Sequence, residues 1–136
     1  MNFTGKILLV DDEAHIRKFV SLLVRSIGTP RVVEAADGEE ALSRYAAERP
    51  DLVLLDVNMP RLDGLQTLTI LRSRYPDSVV VMLTSLINRQ TVEECVRLGA
   101  VGYLRKDTPR AEITAHLQRI IAECFGDEAP VTPAIA

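Results

Sequence analysis

Five short runs of β-branched and aliphatic residues alternate along the chain with five stretches of helical period. That alternation restricts the fold to an α/β class, a parallel sheet covered by helices on both faces. The expected strands are Lys6–Val10, Arg31–Ala35, Leu52–Leu55, Val79–Leu83 and Val101–Leu104. The first, third and fourth are almost wholly apolar, as strands buried on both faces are, and therefore occupy the centre. Polar residues stand where these runs stop: Asp11 and Asp12 after Val10, Asp56 after Leu55, Thr84 and Ser85 after Leu83, and Lys106 just past Leu104. In open parallel sheets the carboxyl ends of strands are where sites are built.

The helices follow from spacing and punctuation. Helix one is expected over Glu13 to Ile27, because Ile16, Val20, Leu23 and Ile27 recur at the helical repeat and Gly28 with Pro30 supplies a stop. Helix two starts at Asp37-Gly38-Glu39-Glu40, with Asp37 as cap and Glu40 reaching back, and buries Ala41, Leu42 and Tyr45. Helix three carries Leu65, Leu68 and Leu71 ahead of Pro76. Helix four covers Asn88–Leu98 with Gly99 behind it, and Val92 and Val96 there suit either core or a partner. Helix five begins at Thr108-Pro109, a cap residue followed by proline, and turns Ile113, Leu117, Ile120 and Ile121 inward. Residues 126–136 have no periodicity and carry two prolines, which reads as a mobile tail or a severed linker after a single unit at 1–125.

Composition narrows the function classes. At 136 residues and 47% hydrophobic content the chain is one ordinary domain with a real core. The net charge is −3 and the basic residues are scattered, so the electrostatic footprint of direct nucleic-acid binding is missing. No apolar run is long enough for a membrane span or a signal core, and a cytoplasmic location is expected. Cys95 and Cys124 are far apart with no ligand-spaced partner, which excludes a CxxC motif and a zinc site and leaves two reduced, semi-buried thiols.

Acids that follow strands one and three meet if those strands are neighbours, which holds at the switch point of the order 2-1-3-4-5, the doubly wound arrangement of flavodoxin. Carboxylates of Asp11, Asp12 and Asp56 about 5 Å apart would repel pairwise by roughly 3 kcal/mol at an effective dielectric near 20. Lys106 alone cannot offset that. An all-oxygen cluster on short loops suits Mg²⁺, which takes one or two carboxylates and keeps several waters. A carboxylate beside two cations and a hydroxyl meets the requirements for phosphoryl transfer to aspartate, and Asp56, alone at the end of the central strand, is the nucleophile candidate. Backbone N–H groups around Val57 and Ser85 can add hydrogen bonds to the phosphoryl oxygens. Asp12 is equally suited to cap helix one.

The motifs Leu9-Val10-Asp11-Asp12-Glu13, Leu55-Asp56-Val57-Asn58-Met59-Pro60 with Asp63-Gly64, Leu83-Thr84-Ser85 and Gly102-Tyr103-Leu104-Arg105-Lys106 occur in that order. Together they resemble the receiver domain of two-component response regulators, from about Lys6 to Phe125. The resemblance implies that Asp56 accepts a phosphoryl group from a phosphohistidine on a sensor histidine kinase or phosphotransfer protein. It also implies that Asp12, Asp56 and the backbone carbonyl of Asn58 ligate Mg²⁺, with Asp11 acting through a metal-bound water. Lys106 would pair with carboxylate or phosphate, Thr84 would swing onto the phosphoryl oxygen and Tyr103 would turn into the vacated space, switching the face of helix four, strand five and helix five for an output domain, effector or homodimer. Tyr103 also fits an ordinary half-buried strand position.

Two positions depart from the common family pattern. Asp107 follows Lys106 where proline is frequent, and a cis bond there without proline costs about 2.5–4 kcal/mol. In that family the residues two after the nucleophile and two after the threonine flank the path of attacking water; here the resemblance assigns these positions to Asn58 and Leu86, and apolar Leu86 is expected to lengthen the phosphoryl lifetime relative to Leu86→Glu or Leu86→Lys. Competing functions fit less well. An aspartate-nucleophile hydrolase needs an acid/base two residues after the nucleophile, where this chain has Asn58. A dinucleotide site needs a Gly-rich loop where Asp11 and Asp12 would repel phosphate. The remaining alternative is a receiver-like interaction module that works without phosphorylation.

Overall fold

The computed structural model describes residues 3–85 and 88–125. Its elements run β1 (Lys6–Val10), α1 (Ala14–Val24), a 3-10 turn (Arg25–Ile27), β2 (Arg31–Ala35), α2 (Gly38–Glu48), β3 (Leu52–Asp56), α3 (Gly64–Arg74), β4 (Val80–Thr84), α4 (Arg89–Arg97), β5 (Gly102–Arg105) and α5 (Arg110–Phe125). The five strands form one parallel sheet in the expected order β2-β1-β3-β4-β5, which makes neighbours of the acid-bearing β1 and β3. The chain therefore adopts the flavodoxin-like doubly wound fold.

Strand alternation divides the apolar residues between two cores. Ile7, Leu9, Leu54, Val81, Leu83 and Leu104 face α1 and α5, where Leu23, Ile113 and Leu117 meet them. Leu8, Val10, Val53, Leu55 and Met82 face the other layer, with Ala41, Tyr45, Leu68, Leu71 and Cys95. Every residue of β3 and β4 is buried, which explains why those runs lack the polar alternation of an exposed sheet.

Several boundaries differ from expectation by a residue or more. β4 and β5 each lie one residue later than expected, because pairing continues through Thr84↔Arg105. Helix one stops at Val24 rather than Ile27: Ser26 Oγ donates to the Leu23 carbonyl at 2.6 Å, and the chain tightens into the 3-10 turn. Its N-cap is Glu13, without a side-chain cap bond, so Asp12 does not cap it. The first turn of α5 closes from the Ile113 N–H to the Pro109 carbonyl at 3.1 Å, one residue past the expected start. Asp37 caps α2 as expected, but Glu40 reaches back to the Ala36 N–H at 2.7 Å. Leu42 is only partly buried. Cys95 is buried and Cys124 exposed, so the two thiols are not alike. On α4, Val92 is half-buried and Val96 is turned outward.

The segment ahead of β1 completes the α1–α5 core. The Phe3 N–H donates to the Ile27 carbonyl at 2.8 Å, the Thr29 N–H donates to the Phe3 carbonyl at 3.0 Å, and the Phe3 ring sits 5.7 Å from that of Phe125. The expected tail at 126–136 and Leu86 lie outside the described residues.

Candidate functional site

The polar strand ends converge at the carboxyl edge of the sheet. Asp11 follows β1 directly and is anchored by its N–H to the Ala35 carbonyl of β2 at 3.1 Å. Asp56 is the last residue of β3, between β1 and β4. Lys106 follows β5, with its N–H on the Thr84 carbonyl at 2.8 Å. By strand parity Asp11, Asp56 and Lys106 continue the rows of Leu9, Leu54 and Leu104, so all three project on the α1–α5 side. Thr84 and Tyr103 fall on the opposite side. Thr84 is buried in the row of Met82, which is in register with Tyr103, and Tyr103 packs half-buried on the second core.

The charged groups meet at short range. Lys106 Nζ lies 2.6 Å from Asp11 Oδ2 and 3.0 Å from Asp56 Oδ1, and both carboxylates are almost wholly removed from solvent. Asp11 Oδ1 accepts from the Glu13 N–H at 2.9 Å. Asp56 Oδ1 also accepts from the Asn58 N–H at 3.3 Å. Burial pushes the Asp56 carboxyl up to about 6; the Lys106 contact opposes this and the Asp11 charge adds to it. Burial also disfavours the Lys106 ammonium, but its contacts with Asp11 and Asp56 outweigh that and raise its pKa. Two buried acids share one cation: the lysine is over-satisfied and Asp56 is under-compensated.

The local sequence holds the loop after β3 against this cluster. A Cβ on Gly64 would lie 2.1 Å from the Asp56 carbonyl oxygen, so only glycine lets α3 start there. Asp63 and Gln66 form a reciprocal capping box at the same point. On the other side of the loop, Arg61 pairs with Asp37 at 3.3 Å.

One oxygen each from Asp11, Asp12 and Asp56 lie within 4.8 Å of one another. Three carboxylates with one ammonium leave excess negative charge, the donors are all oxygen, and Asp11 Oδ2 is buried with no aligned hydrogen bond beyond its ionic contact to Lys106. This donor set fits a hard divalent cation such as Mg²⁺. Of the backbone donors expected near a phosphoryl group, the Val57 N–H is not free: it extends the β3–β4 ladder to the Leu83 carbonyl at 3.0 Å, and the Asn58 N–H takes its place at the carboxylate. Among the described residues no peptide bond is cis, so Lys106–Asp107 is trans.

The structure thus gathers Asp11, Asp12, Asp56 and Lys106, with the Asn58 N–H, at one edge; Thr84 joins them through its backbone carbonyl on the Lys106 N–H, and it shares with Tyr103 the opposite face of the sheet. Spacing gave no sign of Arg17, which reaches the Asp11 carbonyl from α1 at 2.7 Å. The Asp63-x-x-Gln66 spacing that starts α3 is a capping signal present in the sequence itself.

Residues 7–118 match the response regulator receiver domain family. A probable transcriptional regulator, ycf27, of Porphyridium aerugineum is 40% identical over 116 residues, 85% of this chain and 48% of that protein. The chain spans about half the length of the curated relatives it matches. Among solved structures, the chemotaxis protein CheY4 of Vibrio cholerae superposes with a TM-score of 0.78 at 34% identity, over 86% of this chain and 98% of that one. The CheX-CheY-BeF3-Mg+2 complex from Borrelia burgdorferi gives 0.79 at 30% identity over 88% of each chain.

Proposed function

This chain belongs to the response regulator receiver domain family of two-component systems, and on that basis we propose that Asp56 accepts a phosphoryl group from a phosphohistidine donor. One observation carries the proposal: a carboxylate ending a fully buried central strand, 3.0 Å from a lysine and within 4.8 Å of two further acids. Burial beside a lysine and two further acids is the kind of environment in which chemically active carboxylates cluster.

Asp12, Asp56 and the Asn58 carbonyl would hold Mg²⁺, with Asp11 acting through a bound water. The ion supplies positive charge for the phosphoryl oxygens. An Asp56 oxygen attacks phosphorus in line as the P–N bond of the phosphohistidine breaks, and the electron pair leaves with the imidazole nitrogen. Lys106 transfers its contact from the carboxylate to a phosphoryl oxygen. The Asn58 N–H, already on Asp56 Oδ1, is placed to donate there as well.

Thr84 would then engage the phosphoryl group, and Tyr103, on the same face of the sheet, would move with it. Conversion of a mostly inactive ensemble to a mostly active one takes about 5.5 kcal/mol of differential stabilisation. Three or four charge-assisted hydrogen bonds at about 1.5–3 kcal/mol each suffice. The readout would be the α4–β5–α5 face, offered to an output domain, an effector or a second copy, with a sensor histidine kinase or phosphotransfer protein as donor. No helix among the described residues is long and apolar enough to cross a membrane, and a cytoplasmic location is part of the proposal.

The test is intact mass spectrometry after incubation with acetyl phosphate and Mg²⁺. One added phosphoryl group is expected on the wild type and none on Asp56→Asn. A wild-type protein that gains no phosphoryl group would overturn the reading in favour of a phosphorylation-independent interaction module.

A further inference from the structure

We infer that Arg17 is a positioning residue of the acid site, orienting the Asp11–Asp12 peptide so that the Asp12 carboxylate joins those of Asp11 and Asp56. The inference rests on the magnesium reading above.

Arg17 lies on α1 with its side chain only 19% exposed. One guanidinium nitrogen donates to the Asp11 carbonyl at 2.7 Å, and Nε donates to Glu34 Oε1 at 2.9 Å. Because the guanidinium is a rigid planar fork, bonds to two acceptors fix it in space. Glu34 sits in β2, which is paired with β1, so the clasp ties the end of β1 to its neighbouring strand through α1.

Each polar group of Asp11 has its own tether. The N–H goes to Ala35, Oδ1 accepts from the Glu13 N–H, Oδ2 faces Lys106, and the carbonyl accepts from Arg17. Asp12 has no such support: it is exposed, and among the described residues no donor holds its carboxylate. Its position is therefore inherited from the backbone. The peptide bond is planar, so fixing the Asp11 carbonyl fixes the plane from which the Asp12 Cα departs. Arg17 is spent on a backbone carbonyl and on Glu34, so it orients the acids without competing for them as Lys106 does.

Calorimetric titration of the full chain with Mg²⁺ tests this. Arg17→Met is expected to weaken Mg²⁺ binding about 10-fold, the low end for loss of a group that orients a ligand, and Arg17→Lys to restore part of it, since one ammonium cannot replace the fork. In the Asp12→Asn background, Arg17→Met should cost far less, because the carboxylate it places is gone; a purely structural role would cost the same factor in both backgrounds. Equal affinity of Arg17→Met and wild type, or an undiminished cost in Asp12→Asn, overturns the inference. Should Arg17→Met not fold, Glu34→Ala frees the fork while retaining it, and affinity equal to wild type in that variant overturns the inference as well. A folded wild type that takes up no Mg²⁺ brings down the magnesium reading together with this inference, whereas wild-type uptake with an indifferent Arg17→Met brings down this inference alone.

Discussion

At the residue scale, the buried charges set a stability that depends on pH. The Asp56 carboxyl is raised from an ordinary 3.8 to about 6, so the folded state holds its proton more tightly than the unfolded chain does. The stabilisation is complete below about 3.8 and is lost as pH rises through about 6. In the metal-free protein at neutral pH the ionised group then costs the fold about 3 kcal/mol. Asp56→Asn is therefore expected to be more stable than wild type at neutral pH by about 1–3 kcal/mol, with a flatter profile between the two pKa values, as measured by urea unfolding across pH. Lys106→Met has the opposite sign. It strands Asp11 and Asp56 against each other, a loss of about 3–5 kcal/mol for a broken buried pair. Added Mg²⁺ should recover part of that in the same unfolding assay, because it binds only the folded arrangement.

At the element scale, helix starts hold the site loops. Gly64→Ala places a methyl against the Asp56 carbonyl oxygen, and overpacking of that kind costs about 1–3 kcal/mol. Its Mg²⁺ affinity should fall along with its thermal midpoint, since the displaced backbone is that of Asp56 and Val57. Asp63→Ala removes the capping box and should cost about 1 kcal/mol in thermal unfolding. The Asp37 cap, the stop at Gly99 and the inward stripe of α5 were legible in the sequence because each depends on neighbours within one or two turns. The 3-10 end of α1 was not: it depends on the Ser26 hydroxyl competing for a carbonyl, a choice that helical periodicity does not report. The Arg17 clasp was hidden for a different reason, since Glu34 stands on a strand whose register with β1 no local pattern specifies.

At the scale of the whole molecule, the polar strand ends could be placed at one edge from the sequence because the carboxyl ends of a parallel sheet share it by construction, and the order 2-1-3-4-5 came from requiring the acid-bearing strands to be neighbours. The commitment of the Val57 N–H to Leu83 could not be read this way, since it turns on how far one ladder runs. The closure of the α1–α5 core by Phe3 was also missed, as that residue precedes every periodic run. It is 2% exposed and bonds to Ile27, the last residue of the 3-10 turn, and to Thr29 beyond it. Phe3→Ala is expected to cost about 3–5 kcal/mol in chemical denaturation, against no loss were the segment merely laid on the surface.

The acids and the lysine sit on strands of unequal support. Asp56 belongs to β3, gripped from both sides, whereas Lys106 follows β5, four residues long and bonded only to β4. A pull on the ammonium therefore meets a stiff wall on one side and a compliant rim on the other. On the proposed phosphoryl transfer, displacement begun at the acids is expected to leave sideways through the outermost strand, which has one bonded neighbour, rather than through β3, which has two.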